Sequence, residues 1–295
     1  MFEGYEVIRN APMRDYTTLK LGGPADWLAF PRNAEEIAGL FREARAAGLP
    51  VTVIGHGSNL LVLDGGIRGL TIRIGRNMRD IRRDRNRLTV QAGAMLASAA
   101  AAAADAGLAG LEFASGIPGT VGGGLAMNAG AYGGEMSMVT AGAEGLTPEG
   151  KTVRMTPEDL AFGYRKSSVQ HSGIIITEAV FELQPGNGEA IREKMAELNR
   201  RRAEKQPLDQ PSAGSTFKRP EGGFAAALID QCGLKGFRNG GAMVSSKHAG
   251  FLINRGTSSR DFLNLMQYVA DTVWNRTGIR LEPEIRVIGE EEAAI

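Results

Sequence analysis

Two glycine-rich stretches are the places where this chain could hold a charged ligand. The first, Gly55-His56-Gly57-Ser58-Asn59-Leu60, follows directly on an apolar run from Val51 to Ile54. Glycines at alternate positions let main-chain N–H groups approach an anion closely, and Ser58 and Asn59 add short hydrogen-bonding side chains. A phosphate is the natural guest, although this segment alone reads equally as a tight turn after a strand. The second stretch runs from Ser115 through Gly116, Ile117, Pro118, Gly119, Thr120, Val121 and Gly122–Gly124 to Gly134, with eight glycines in the nineteen residues from Gly116. Interior glycines cost roughly 0.5–1 kcal/mol each relative to alanine, so a packed helix or strand is not expected there. A diphosphate lying along the loop would compensate, and Ile117, Val121, Met127 and Tyr132 argue against a flexible linker.

Neither stretch is a dinucleotide fingerprint, because an extended apolar run from Leu60 to Leu63 follows the first glycines where a third glycine should open a helix. No Gly-Lys-Ser/Thr occurs, which excludes a Walker-type loop. Cys232 is the single cysteine, so no intrachain disulfide and no thiolate-based zinc site can form, and no metal site is expected.

The elements that must position these loops are legible from periodicity. A strand at Trp27 to Phe30, a helix and a strand at Val51 to Ile54 suggest a βαβ unit. The helix has Asn33 as N-cap, Glu35 and Glu36 in its first turn, Ile37, Leu40, Phe41 and Ala44 on one face, and Gly48 at its end. Further expectations are a strand at Arg87 to Ala92, an alanine-rich helix from Leu96 to Ala106, a strand near Ile174 to Leu183 and a charged helix from Glu189 to Lys205, in which Arg200-Arg201-Arg202 reads as a solvated face. After the loop Gln206 to Pro211 come a short helix from Phe224 to Cys232, an apolar stretch from Ala249 to Asn254, a long helix opening at Ser258-Ser259 and ending at Gly278, and a final alternating strand from Ile279 to Ile288.

The chain has 295 residues, 43% hydrophobic and 23% charged, enough for two domains with real cores. Lys+Arg (34) and Asp+Glu (33) nearly balance, so no net field favours nucleic acid. The first twenty residues carry no signal-peptide core, and Leu96 to Leu111 is too short and too weakly apolar to span a bilayer, so a cytoplasmic protein without membrane attachment is expected.

The two glycine segments, with Met127-Asn128-Ala129-Gly130-Ala131-Tyr132-Gly133, the run from Thr17 to Ala25, Tyr164-Arg165-Lys166-Ser167, Gly214-Ser215-Thr216-Phe217-Lys218 and Leu281-Glu282-Pro283-Glu284-Ile285-Arg286, resemble the UDP-N-acetylenolpyruvoylglucosamine reductases over almost the whole chain. The resemblance implies an α+β fold, with an FAD-binding domain of the PCMH/vanillyl-alcohol-oxidase-like type in residues 1–200 (two subdomains, about 1–75 and 76–200), a smaller α+β substrate-binding domain in 201–285, and a tail, 286–295, packing back on the FAD domain. It implies an FAD- and NADPH-dependent reduction of the enolpyruvyl group of UDP-N-acetylglucosamine enolpyruvate to UDP-N-acetylmuramate, in peptidoglycan precursor synthesis, by a monomer.

By the same resemblance Gly55, His56, Gly57, Ser58, Asn59, Leu60, Ser115, Gly116, Pro118, Gly119, Thr120, Gly122, Gly123, Asn128 and Ala129 would bind FAD. Ser215 would be the proton donor, Arg165 would hold the substrate carboxylate, and Glu284, with Glu282 as the rival position, would help stabilise the intermediate. Tyr164, Lys205, Lys247 and His248 would bind diphosphate, uridine or the nicotinamide cofactor. The stretch from Arg165 to Ser215 is too short for the extra tyrosine-bearing loop of one branch, which implies the shorter, second type. Arg219 stands where that branch has Asn, and His56 occupies a variable position, with noncovalent flavin expected. Two other readings remain open: an FAD-linked oxidase of a sugar or hydroxy acid, and a noncatalytic nucleotide-sugar-binding protein.

Overall fold

The computed structural model describes residues 1–292. In chain order its main elements are β1 (Val7–Pro12), β2 (Pro24–Ala29), α1 (Ala34–Ala46), β3 (Val51–Ile54), β4 (Leu60–Val62), β5 (Ile67–Arg73), β6 (Ile81–Asp84), β7 (Arg87–Gln91), α2 (Leu96–Asp105), α3 (Val121–Ala126), β8 (Thr140–Leu146), β9 (Thr152–Met155), β10 (Ile175–Glu182), α4 (Gly188–Lys205), α5 (Ala225–Gln231), β11 (Ala242–Val244), β12 (Leu252–Asn254), α6 (Ser259–Thr277) and β13 (Arg286–Ile288). The chain forms two compact units. One is built from Met1–Ile8, Trp27–His56 and Gly69–Arg202, and the other from Arg9–Asp26, Gly57–Arg68 and the chain from Ala203 onward. Both are discontinuous, and the unit boundaries fall within β1, β2, β5 and α4 and in the loop between β3 and β4.

The first unit contains an antiparallel sheet in the order β9-β8-β10-β7-β6. Strand β10 buries Ile175, Ile176, Ala179 and Phe181, and full burial of a side chain such as Phe181 contributes roughly 1.5–3 kcal/mol. Helix α1 follows its sequence signals closely. The Asn33 side chain accepts the Glu36 N–H at 2.8 Å, Ile37, Leu40 and Ala44 are buried, and the chain leaves at Gly48 with φ +66°. Strand β3 pairs in parallel with β5, Val51 opposite Leu70, in a sheet of order β1-β2-β5-β3, so the two strands flanking α1 are not neighbours.

The second unit has its own core, in which Leu19, Leu21 and Leu61 join Phe217, Ile229, Val244, Leu252, Phe262, Val269 and Val273. Helix α6 opens with the Ser258 hydroxyl accepting the Arg260 N–H at 3.2 Å and closes at Gly278 with φ +71°. The terminal strand is shorter than its alternation suggests: only β13 is a strand, parallel to β4 with Arg286 opposite Leu60. Upstream, Leu281 and Ile285 are buried, but the segment's one further ladder contact is the bridge between Pro283 and Phe217. The expected tail at 286–295 is thus in part β13, and residues 293–295 lie outside the described residues. Among the described residues no helix is long and apolar enough to cross a membrane, and no cluster of potential metal ligands occurs.

Candidate active site

Within the first unit the glycine stretches meet. A Cβ on Gly55 would lie 2.3 Å from Thr120 Oγ1, so the turn after β3 rests directly on the start of α3. Contrary to the sequence expectation, the glycine triplet is helical: Gly122, Gly123 and Gly124 lie inside α3. Thr120 caps it, accepting the Gly123 N–H at 3.4 Å. Packing explains the cost. A Cβ on Gly122 would come within 3.0 Å of the Ala92 Cβ, and one on Gly124 within 3.2 Å of the Leu96 methyls, so glycine lets α3 lie close on the chain around Ala92 and Leu96. Gly123 faces away, exposed, with open space around it apart from Thr120 Oγ1 at 3.4 Å. The loop before α3 is sewn down by Leu96 N–H to Gly119 O (2.9 Å), Val121 N–H to Ala94 O (2.8 Å) and Gly122 N–H to Ala92 O (2.9 Å).

Arg165 sits at the tip of a tight turn closed by Gly163 N–H to Lys166 O (3.0 Å) and Lys166 N–H to Gly163 O (3.2 Å). It has φ +56°, an uncommon conformation for a residue with a side chain, and its Nη2 donates to Gly130 O at 3.2 Å while its guanidinium lies 5.2 Å from the exposed Tyr164 ring. Asn128, almost fully buried, donates Nδ2 to Gly163 O (3.1 Å) and accepts the Ser137 N–H (2.9 Å), so its amide braces the Arg165 turn. Ala129 is half-buried, donates its N–H to Gly124 O (2.8 Å) and accepts from Met136 N–H (3.0 Å).

In the second unit Gly57 is buried with φ +77°, and a Cβ there would be 2.3 Å from Tyr16 O. Asn59 donates Nδ2 to Glu284 O (3.0 Å) and accepts the Arg286 N–H on its main-chain carbonyl (3.0 Å), tying the first glycine segment to the acidic segment. Ser215 is exposed and follows Gly214, which has φ +77°. The next residue, Thr216, is fully buried, gives its carbonyl to Glu284 N–H (2.8 Å) and accepts the Leu252 N–H on Oγ1 (3.2 Å). The chain thus brings Ser215 to within one residue of the hydrogen bond that anchors Glu284. The two acids differ: Glu282 is exposed and ion-paired with Lys218 at 3.2 Å, whereas Glu284 is half-buried.

The remaining candidates are spread out. Lys205 is exposed at the end of α4, and Lys247 Nζ donates to Ala203 O at 2.5 Å, on one of the last carbonyls of that helix. The His248 ring is half-buried, packs edge-on against Phe251 at 4.9 Å and accepts the Gly250 N–H on Nδ1 (3.2 Å). Burial, reinforced by the charge of Lys235, pulls His248 below its usual pKa. The Arg219 guanidinium stacks 4.1 Å from the Phe224 ring.

Helix α4 is legible in the sequence, but its contacts with the glycine-rich stretch are not. Arg201 lies 5.1 Å from the Tyr132 ring, and Arg202, half-buried, donates Nη1 to Gly116 O while Ser115 Oγ donates to Asn199 Oδ1 at 3.4 Å. The Arg200–Arg202 run is therefore not a solvated face throughout. The available signal was the helical stripe: Met195, Leu198, Asn199 and Arg202 follow the spacing that buries Ile191 and Leu198.

Backbone donors suited to an anion occur in each unit by itself. In the second unit the N–H groups of Gly57, which is buried, and Ser58 make no hydrogen bond among the described residues, and in the first unit the same holds for Gly116.

Comparison with known proteins agrees with this geometry. Residues 25–156 match the FAD binding domain profile, and residues 206–288 match that of the UDP-N-acetylenolpyruvoylglucosamine reductase C-terminal domain. The UDP-N-acetylenolpyruvoylglucosamine reductase of Levilactobacillus brevis is 48% identical over 98% of this chain and 95% of its own length, and that of Streptococcus uberis is 48% identical over 98% and 96%. The crystal structure of the Thermus caldophilus enzyme of that name superposes with a TM-score of 0.81 at 39% identity, covering 96% of this chain and 98% of the other. A cholesterol oxidase from Brevibacterium sterolicum, 13% identical with a TM-score of 0.50 over 63% of this chain and 39% of its own, shares part of the fold and nothing more. With relatives this similar along nearly its whole length, the chain belongs to the UDP-N-acetylenolpyruvoylglucosamine reductase family.

Proposed function

We propose that Ser215, Arg165 and Glu284 carry the reduction of the enolpyruvyl group of UDP-N-acetylglucosamine enolpyruvate to UDP-N-acetylmuramate, the chemistry of the family to which the chain belongs. When bound, FAD supplies a two-electron store that NADPH fills and the enolpyruvyl double bond empties. Residues 1–200 would hold FAD, through Gly55–Leu60, Ser115, Gly116, Pro118, Gly119, Thr120, Gly122, Gly123, Asn128 and Ala129, and residues 201–285 the UDP-sugar, with Tyr164, Lys205, Lys247 and His248 as further contacts. Hydride arriving at one vinyl carbon leaves negative charge on its neighbour, spread into the carboxylate. The protein's tasks are to stabilise that charge and to protonate the carbon.

Arg165 offers a planar fork of donors to the carboxylate, and its turn is pinned by Asn128 and Gly130. Ser215 delivers its hydroxyl proton to the basic carbon. Glu284, held by Asn59 and Thr216, supports the developing charge, and its lower exposure favours it over Glu282, which is engaged with Lys218. The observation that carries the cofactor assignment is the contact of Gly55 with Thr120, which sets two stretches of bare backbone side by side. The reading includes a monomeric enzyme of the cytoplasm, where NADPH and nucleotide sugars are found.

The test is anaerobic mixing with NADPH and then with the enolpyruvyl UDP-sugar while flavin absorbance is followed. Bleaching on the first addition and recovery on the second are expected, and absence of recovery refutes the reaction. In Ser215→Ala the first step survives while the second slows by about 10²–10⁴-fold, the usual worth of a positioned acid.

A further inference from the structure

We infer that Arg202 is a positioning residue for the Ser115–Gly119 loop, holding the Gly116 carbonyl and supplying the positive charge that a diphosphate-bearing cofactor meets there. The inference rests on FAD occupying the glycine segments. Arg202 Nη1 donates to Gly116 O, and a Cβ on Gly116 would fall 2.4 Å from Asn199 Oδ1 and 3.1 Å from Arg202 Nη1. The loop therefore lies against these two side chains of α4, and only glycine lets it approach so closely. With the Gly116 carbonyl turned to Arg202, the N–H of the same residue is left without a hydrogen bond among the described residues.

The charge is the less expected part. Arg202 forms no ion pair with any carboxylate among the described residues, and its Nε is buried without a hydrogen-bond partner. Desolvation outweighs all else acting on the guanidinium and pulls its pKa below the usual value, with Tyr132 opposing. A desolvated cation without a counter-ion is costly, and natural sites compensate it with a paired anion. Exposed basic residues on the same helix have such partners: Arg192 pairs with Asp105 at 2.8 Å and Lys194 with Glu197 at 3.3 Å. What sets Arg202 apart is that its neighbour is an anion-accepting loop.

The experiment is equilibrium titration of full-length apoprotein with FAD at several KCl concentrations, for wild type, Arg202→Gln and Arg202→Lys, with unfolding curves for the three apoproteins. In Arg202→Gln the FAD dissociation constant should rise about tenfold or more and its salt dependence should flatten. Arg202→Lys should recover the salt dependence and bind within about tenfold of wild type, because charge rather than the fork is what the phosphates read. Affinity within twofold of wild type in Arg202→Gln overturns the inference and leaves the FAD assignment intact. So does weaker binding with an unchanged salt slope, which is the mark of a purely mechanical brace. Should Arg202→Gln fail to fold or to bind measurably, a lysine variant equally unable to bind also overturns it. Wild-type apoprotein that takes up no FAD sinks both.

Discussion

Arg165 has the most constrained surroundings of the proposed catalytic residues. Its backbone is in the left-handed region, its turn is closed by two main-chain hydrogen bonds, and Gln170 Nε2 donates to its carbonyl at 3.1 Å. Such strain persists only where the surroundings over-determine it. Arg165→Lys keeps the charge and loses the fork, so kcat/KM for the enolpyruvyl sugar should fall about 10- to 100-fold with flavin reduction by NADPH unchanged, as separate half-reaction kinetics would reveal. His248 gives a prediction of another kind. Burial favours its neutral form in the folded state, so on acidification the unfolded chain takes up the proton first. The stability held above about pH 6.5 is then lost as pH falls through the lowered native value. Melting temperatures between pH 7.5 and 5.5 should decline more steeply for wild type than for His248→Gln, and parallel curves would refute the assignment. Ser215 was legible in the sequence through its motif, whereas Arg202 was not, because nothing in a run of three arginines marks which one turns inward.

At the scale of elements, α3 shows where local rules give way to packing. Three successive glycines are poor helix formers, yet here Gly122 and Gly124 are demanded by Ala92 and Leu96, while Gly123 is demanded by nothing in the protein. Gly123→Ala should therefore leave the apoprotein as stable or raise it by about 0.5–1 kcal/mol, and should weaken FAD binding where the cofactor passes close to the backbone. Denaturant unfolding of apoprotein together with flavin titration checks both halves, and unaltered FAD affinity would remove Gly123 from the cofactor contacts. The opposite case is α1, whose cap and apolar stripe are local signals that the structure reproduces; Asn33→Ala should cost about 1 kcal/mol in urea unfolding. The segment from Ile279 to Ile288 alternates like a strand, but a strand also needs a neighbour, and β4 pairs only its last three residues.

For the whole molecule, the second unit draws on three separate parts of the chain. Its core includes Leu19, Leu21 and Leu61, and β13 has its partner in β4. A fragment spanning residues 203–292 should accordingly remain unfolded, without cooperative melting or dispersed amide resonances; a folded fragment would show that Arg9–Asp26 and Gly57–Arg68 are dispensable to it. By itself the sequence determined the helices with caps and stripes, the mixed α+β character and the family, because turn chemistry, periodicity and motif identity are carried by neighbouring residues. Only the tertiary structure decided that the glycine triplet is helical, that Asn59 holds Glu284, that Arg202 reaches Gly116 and that distant segments share one core. Each of those depends on contacts between residues far apart in the chain, where close packing and the pairing of buried polar groups override local preference.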